Sequence, residues 1–218
     1  DAVHEVLSQL PLPARRIGLV VPDRIAKVSF VKFQKVPSRS DDFDQLVAWQ
    51  IRKALPFRVE EAQLAYTPSM HGKGEESEFV VAVARRDIVE EYEGVCSAAG
   101  AYAGLVDLAT FNLVNAALAL APETASDWLL LHVGRCDSTL VIMRGTALIF
   151  FRNCPTVSES DVSDLVHQSA MYYEDGTALE LLKFIKEDDA FKTIPFMLVS
   201  SENRLSKLEE FKQAGVAA

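Results

Sequence analysis

Short β-forming segments alternate with amphipathic helical segments along this chain of 218 residues, and this alternation constrains the fold more than any other feature. The strand-like segments are rich in Val, Ile, Leu or Phe and are bounded by residues that favour turns. Strands grouped in hairpins, combined with crossover helices, predict an α/β protein with two structural centres. Strands are predicted at residues 16–22, 26–34, 63–67, 78–84, 103–107, 128–133, 138–143, 147–152 and 194–200, and helices at residues 2–10, 41–55, 87–99, 110–120, 160–173, 178–186 and 203–214.

The charge and the hydrophobicity of the chain limit the classes of protein to which it can belong. A formal net charge of −9 leaves no excess of Lys and Arg to neutralise phosphates, which argues against a general nucleic-acid binder. No apolar run approaches the length needed to cross a bilayer, so any membrane link is expected to go through a partner. A content of 49% hydrophobic and 24% charged residues is typical of a soluble protein with one large or two small domains.

The cysteine and histidine residues show no pattern of the kind that a metal site requires. Cys96, Cys136 and Cys154 are interpreted as reduced thiols of the protein core, because neither a CxxC motif nor a Cys/His ligand spacing occurs. The four histidines are equally scattered. We therefore expect no metal site and no disulfide.

Four stretches of the chain together resemble the PilM family of type IV pilus and type II secretion assembly proteins. They follow the order of that family and cover roughly residues 2–173. The most specific stretch is a Trp-bearing helix that stops at Leu-Pro-Phe and leads through an acidic turn to a strand with Tyr66. The four stretches are residues 16–23, 47–57, 81–92 and 129–140.

This resemblance implies that residues 1–173 form an actin-like region, with RNase H-like subdomains of mixed sheet and helices. A complete family member is expected to bind ATP and Mg²⁺ between loops whose backbone amides and hydroxyls hold the phosphates. The second phosphate loop would lie at residues 134–139. It supplies a degenerate set of candidate cofactor contacts, which are Gly134, Asp137, Ser138 and Thr139.

The candidate loop departs from the family pattern. His132 stands near the place of the usual acid, and the bulky Arg135 and Cys136 lie inside the turn. The first phosphate loop is expected before residue 1, and the adenosine loop expected after Tyr173 has no counterpart. We therefore favour a plain hairpin turn at Gly134, and expect no bound cofactor and no catalytic residue in this chain.

The resemblance also implies partners. The surface around the small subdomain is expected to hold the cytoplasmic tail of an inner-membrane protein of the PilN type, through backbone pairing or apolar anchors, and other assembly-platform proteins are further partners. Trp49, Leu55 and Phe57 are the candidate contacts. The alternative, which we favour for Trp49, is packing in the core; an exposed Trp49 would instead indicate a partner-binding residue.

The last part of the chain, residues 174–218, resembles part of a flavodoxin-like receiver domain of the CheY type. The similar stretches are residues 175–186, 193–202 and 211–216, and Ser200 would be the hydroxyl switch residue. The phospho-acceptor Asp is expected before Asp175 and is missing, so phosphotransfer is not expected. A fused fragment packed on the core, missing segments or a diverged pseudo-receiver would each explain this, and we favour missing segments.

These observations predict a cytoplasmic, non-enzymatic scaffold of a type IV pilus or type II secretion assembly platform. It would be peripheral to the bacterial inner membrane, bind the tail of a membrane partner and carry a receiver-like regulatory part. Two alternatives stay open at this point. One is an assembly ATPase that hydrolyses nucleotide, and the other is a response regulator that acts through a pilus-type output module.

Overall fold

The computed structural model of the chain describes residues 2–9, 16–69, 77–120, 127–173 and 196–200. Each strand and helix predicted within these ranges is present, with ends within a few residues of the prediction, so the α/β class is confirmed. The helices predicted at residues 178–186 and 203–214 lie outside the described residues. The elements in chain order are α1 (Ala2–Ser8), β1 (Arg16–Val21), β2 (Ala26–Phe33), α2 (Ser40–Ile51), β3 (Ala62–Pro68), β4 (Ser77–Arg85), α3 (Arg86–Ala98), β5 (Tyr102–Leu108), α4 (Ala109–Leu120), β6 (Asp127–Val133), β7 (Asp137–Arg144), β8 (Ala147–Pro155), α5 (Glu159–Tyr173) and β9 (Phe196–Ser200).

The chain divides into two compact units, Asp1–Asn115 and Ala116–Ala218. The predicted division between residues 1–173 and 174–218 concerns a segment that lies mostly outside the described residues. That division stays a prediction.

The first unit contains a three-stranded antiparallel sheet in the order β2-β4-β3. Helix α2 covers one face of this sheet, because Phe43, Val47 and Ile51 recur every four residues and form one apolar stripe. The stripe packs against inward-facing residues of the strands, including Val31 and Val81. This small sheet and its helix form one hydrophobic core.

Helix α2 begins one residue earlier than the capping pattern predicts. Serine favours the N-cap, so the sequence predicts Ser40 as the cap of a helix that begins at Asp41. In the structure, Ser40 is the first helical residue, and Arg39 occupies the N-cap without a side-chain hydrogen bond. The prediction for Ser40 is therefore wrong. Asp41 and Asp42 still lie in the first turn, where their negative charges interact favourably with the positive end of the helix dipole.

Strands β1 and β5 form a second, parallel sheet in the first unit. Helix α3 precedes β5 and ends at Ala98. Two residues later, Gly100 has a φ of +81°, a left-handed conformation that glycine adopts without strain. The amide of Ala101 then donates to the carbonyl of Cys96 at 3.0 Å, which closes the end of the helix.

The second unit contains a four-stranded sheet in the order β8-β7-β6-β9. Strands β6, β7 and β8 form an antiparallel meander, while β9 pairs in parallel with β6. Strand β7 is central, and its six residues between Asp137 and Arg144 are all buried. Leu165 of α5 packs into the same core with Leu131 and Leu140.

Candidate functional site

Four aromatic rings hold α2 on the three-stranded sheet. Their centroids lie 4.8 to 6.0 Å apart, mostly edge to face, which is the arrangement that aromatic pairs favour. The buried face of α2 is thus firmly fixed, and its opposite face is held in a defined orientation. The four rings belong to Phe33, Phe43, Tyr66 and Phe79.

Trp49 lies on the exposed face of α2, and 56% of its surface is accessible. The expectation that Trp49 packs in the core is therefore wrong. Trp49 is two residues from Val47, which corresponds to about 200° around a helix, so the two side chains point in opposite directions. The guanidinium carbon of Arg52 lies 5.5 Å from the centroid of the Trp49 ring, within the range of a cation–π interaction.

Leu55 and Phe57 lie where the chain leaves α2, beyond a short 3₁₀ turn at Arg52–Ala54. Both side chains are half-buried and pack against the core of the three-stranded sheet. They therefore differ from Trp49, since part of each is already used in packing. Their role as partner contacts stays a prediction.

Tyr66 and Asp44 tie β3 to the first half of α2. The hydroxyl of Tyr66 donates to Oδ1 of Asp44 at 2.6 Å. This hydrogen bond raises the pKa of Tyr66 above its ordinary value of 10.0, with a smaller contribution from burial. The Asp44 carboxylate is otherwise exposed, so it places a negative charge beside β3.

The candidate phosphate loop forms the turn between β6 and β7. The amide of Gly134 donates to the carbonyl oxygen of Asp137 at 2.8 Å, and a Cβ at Gly134 would lie only 2.7 Å from that oxygen. The turn thus requires glycine for close backbone approach. The hairpin turn predicted at Gly134 is confirmed, while a role in binding phosphate stays untested.

The side chains of the candidate loop hydrogen-bond within the protein. The hydroxyls of Ser138 and Thr156, both in buried residues, lie 2.8 Å apart. Asn153 donates to Oδ2 of Asp137 and to Oγ1 of the buried Thr139, each at 2.9 Å. These side chains are directed at one another, so in this arrangement they do not fit the role of holding a triphosphate with its magnesium ion.

The three cysteines differ in exposure. Cys96 is buried, as predicted, but Cys136 is exposed at the tip of the turn and Cys154 is half-buried. The prediction of a core thiol is therefore wrong for Cys136, because the turn projects the residue away from the sheet. All three are free thiols.

Ser200, the receiver switch candidate, is the last residue of β9 and pairs with Val133 of β6. Residues 195 and 201, which flank β9 in the sequence, lie outside the described residues. Within the part of the chain that the structure describes, no three His, Cys, Asp or Glu side chains are grouped so that they could hold a metal ion. No described helix is long and apolar enough to cross a membrane.

One buried polar pair, Asp23 with Thr110, is not among the contacts that the sequence predicts. Asp23 is almost fully buried, and its carboxylate accepts hydrogen bonds from the Thr110 amide at 3.0 Å and from the Thr110 hydroxyl. It thereby caps the first turn of α4. The two residues are 87 positions apart, so no local pattern could have found the pair.

Comparison with known proteins identifies the family. The chain matches the family model of the type IV pilus assembly protein PilM over residues 1–176. It is similar to a solved structure described as a PilM-PilN type IV pilus biogenesis complex, at 20% identity and a TM-score of 0.69, with 99% of this chain and 73% of that chain covered. Comparison with curated proteins gave no match.

Two further structures are more distant. One is the cytoplasmic domain of EpsL, an inner-membrane component of the type II secretion system of Vibrio cholerae, at 12% identity and a TM-score of 0.49, with 91% of this chain and 66% of that chain covered. The other is a Bacteroides thetaiotaomicron protein of unknown function with an actin-like ATPase fold, at 9% identity and a TM-score of 0.45, with 96% and 70% covered.

The family match and the shared fold confirm the predicted actin-like α/β class. They support the PilM resemblance of residues 2–173 and lend no support to the receiver resemblance of residues 175–218. The chain therefore belongs to the family of type IV pilus assembly proteins PilM.

Proposed function

We propose that this chain is a cytoplasmic scaffold of a type IV pilus or type II secretion assembly platform, peripheral to the inner membrane. In this proposal, the surface of α2 and the segment that follows it bind the cytoplasmic tail of an inner-membrane partner of the PilN type. The similar structure that is described as a PilM-PilN complex supports this choice of partner.

The exposure of Trp49 carries the proposal. More than half of the Trp49 surface is accessible, so the ring is available to a partner without any change in the core. Trp and Arg are the residue types that most often dominate the energy of an interface, and here Arg52 stacks on Trp49. Leu55 and Phe57, both half-buried, extend the apolar character of this surface.

A titration with the partner tail tests the proposal. We expect a synthetic peptide of the PilN-like tail from the same organism to bind the wild-type chain in a calorimeter. Trp49→Ala should weaken binding by at least about tenfold, because it removes the largest exposed anchor. Gln50→Ala is the matched control, since Gln50 is an exposed neighbour on the same helix, and it should bind as wild type does.

Unchanged binding by Trp49→Ala would contradict the proposal, as would the absence of binding by the wild type. A second measurement uses the fluorescence of the two tryptophans. Trp128 is buried and donates to the carbonyl of Gly145 at 2.9 Å, so acrylamide should quench mainly Trp49. The bound tail should reduce this quenching.

A scaffold role without nucleotide chemistry is the second part of the proposal. The internal hydrogen bonds of Ser138 and Thr139 support it, because a loop that holds phosphate needs its donors directed at the ligand. The alternative is an assembly ATPase. Detectable turnover of ATP by this chain would favour that alternative.

The third part of the proposal is a receiver-like regulatory role for residues 174–218. The pairing of β9 with β6 favours a segment that packs on the core sheet over the missing-segment explanation. Without an acceptor Asp, we expect no labelling by a small phosphodonor such as acetyl phosphate. Labelling would instead favour the response-regulator alternative.

A further inference from the structure

Several elements of the first unit begin or end at the same end of its three-stranded sheet. Strands β2 and β3 begin there and β4 ends there, because both pair antiparallel with β4. The residues that follow α2 reach the same place, since Nζ of Lys27 donates to the carbonyl of Ala54 at 2.9 Å. We call this region the basic end, and its exposed cationic residues are Arg24, Lys27, Arg52, Lys53, Arg58, Arg85 and Arg86.

The basic end has an excess of positive charge, although the chain as a whole is acidic. Its seven exposed cations stand against three acidic residues that are not buried, Glu60, Glu61 and Asp87, which leaves an excess of four positive charges. The further acids of α3 begin at Glu90, one turn away from the strand ends. The formal net charge of −9 therefore conceals a local reversal of sign.

Most of these cations are not neutralised within the described part of the first unit. Arg58 and Arg85 form ion pairs with Glu61 and Asp87. Arg86 donates to neutral groups, including the carbonyl of Ala62 at 2.8 Å. The other four have no ion pair among the described residues, so their charge is available to an anionic partner, and they are Arg24, Lys27, Arg52 and Lys53.

The opposite end of the same sheet differs in its charge balance. There Lys32 pairs with Glu78 at 3.9 Å and Arg39 with Asp42 at 4.0 Å. Strand β2 has eight residues and spans about 26 Å, whereas the Debye length is about 8 Å at physiological ionic strength. An anionic surface at the basic end thus interacts mainly with the local positive charge. The charged residues of the opposite end are Lys32, Lys35 and Arg39 against Asp41, Asp42, Asp44 and Glu78.

We propose that the basic end rests on the anionic lipid head groups of the inner membrane. This proposal rests on the proposed function, which brings the chain to that membrane. The cations come from separate turns and strand ends and are all exposed, which suits a layer of many mobile head groups better than one fixed ligand. Each basic residue near an anionic membrane strengthens binding by roughly fivefold, so the basic end alone gives a weak, reversible contact.

The tail of the membrane partner and the lipid contact would act together. Lys53 lies two residues before Leu55, one of the candidate tail contacts, so a tail bound there holds the basic end close to the bilayer from which the tail emerges. The lipid contact then forms at a high effective concentration and strengthens the attachment without any new contact to the tail.

Co-sedimentation of the full chain with lipid vesicles tests the proposal without any tail peptide. We expect the chain to sediment with vesicles of phosphatidylethanolamine and phosphatidylglycerol in equal parts, and to stay in solution with vesicles of phosphatidylcholine. Salt at about 1 M, where the Debye length falls to about 3 Å, should release the chain.

A pair of double variants locates the contact on the surface. Arg24→Gln combined with Lys27→Gln removes two cations at the start of β2 and should weaken vesicle binding by at least about tenfold. Lys32→Gln combined with Lys35→Gln is the matched control, because it removes the same charge at the other end of the same strand. The control should bind within about twofold of wild type, and thermal melting should show both variants folded.

The outcomes separate this proposal from the one on which it rests. Equal binding to both kinds of vesicle, or equal losses in the two double variants, would show that the basic end is not the contact. If the vesicles are ignored while the tail peptide binds, the lipid proposal is wrong and the partner remains correct. If the chain instead binds polyglutamate and Arg24→Gln with Lys27→Gln abolishes this, the basic end binds an acidic protein segment and the lipid proposal is again wrong.

Discussion

Helix α2 and the β6–β7 turn were both singled out by the sequence as candidate sites, and they use their side chains in opposite ways. On α2, a large aromatic side chain lies exposed above a tightly packed core. At the turn, the hydroxyl and carboxylate groups that the family resemblance offers as candidate phosphate contacts are hydrogen-bonded within the protein. A surface can bind a partner only with groups that the fold has not already used, and by this criterion α2 is the better candidate.

The largest expected effect is on stability and contrasts two aromatic residues of α2. Phe43 is buried among the rings of Phe33, Tyr66 and Phe79, so Phe43→Ala should cost about 3–5 kcal/mol of the free energy of unfolding. Trp49→Ala should cost no more than about 1 kcal/mol, since it loses only an exposed contact with Arg52. Chemical unfolding followed by circular dichroism measures both.

Equal losses of unfolding free energy in Phe43→Ala and Trp49→Ala would contradict this contrast, because they would show that Trp49 stabilises the fold as much as Phe43 does. The partner-binding surface would then have to be sought elsewhere. A small loss for Trp49→Ala combined with weaker binding of the tail would instead separate folding from recognition on a single helix.

A smaller effect is expected at the turn. Ser138→Ala removes the partner of the buried Thr156 hydroxyl, and a polar group that loses its hydrogen bond inside a protein costs about 1–3 kcal/mol. Ser97→Ala is the matched control, because its hydroxyl is exposed and bonds only its own helix, and it should cost less than about 0.5 kcal/mol. If both serines proved equally unimportant, the turn would not be internally satisfied and its hydroxyls would be available to a ligand.

Local patterns were enough to predict the strands and helices of the described residues. The same patterns also indicate that Trp49 is exposed. Phe43, Val47 and Ile51 define the buried stripe by their spacing of four, and Trp49 falls between them on the other side of the helix. The prediction for Trp49 was wrong because it relied on the residue type, since large aromatic residues are usually buried. The position of Trp49 on the helix already indicated an exposed side chain.

Contacts between distant segments could not be predicted in this way. The bonds of Thr139 with Asn153, and of Ser138 with Thr156, depend on the register of β7 against β8. The capping of α4 by Asp23 depends on two strand ends that meet only in the folded chain. Alternation of apolar and polar residues predicts which residues form a strand, but it does not specify which polar groups then become neighbours.

The smallest expected effect is that of ATP, and it is the most direct test of the difference between the two regions. A ligand present at a hundred times its dissociation constant stabilises a protein by about 2.7 kcal/mol. In a chain of this size, each kcal/mol raises the melting temperature by about 2–4 °C, so binding would shift the melting curve by several degrees. We expect no shift when Mg²⁺ and ATP are added together, because the hydroxyls of Ser138 and Thr139 are already engaged. ADP with Mg²⁺ should behave in the same way.

The PilN-like tail is the positive control, since its binding should raise the melting temperature of the same sample. A clear shift with ATP that Ser138→Ala abolishes would reverse the assignment of the two regions, and would make the β6–β7 turn a nucleotide site.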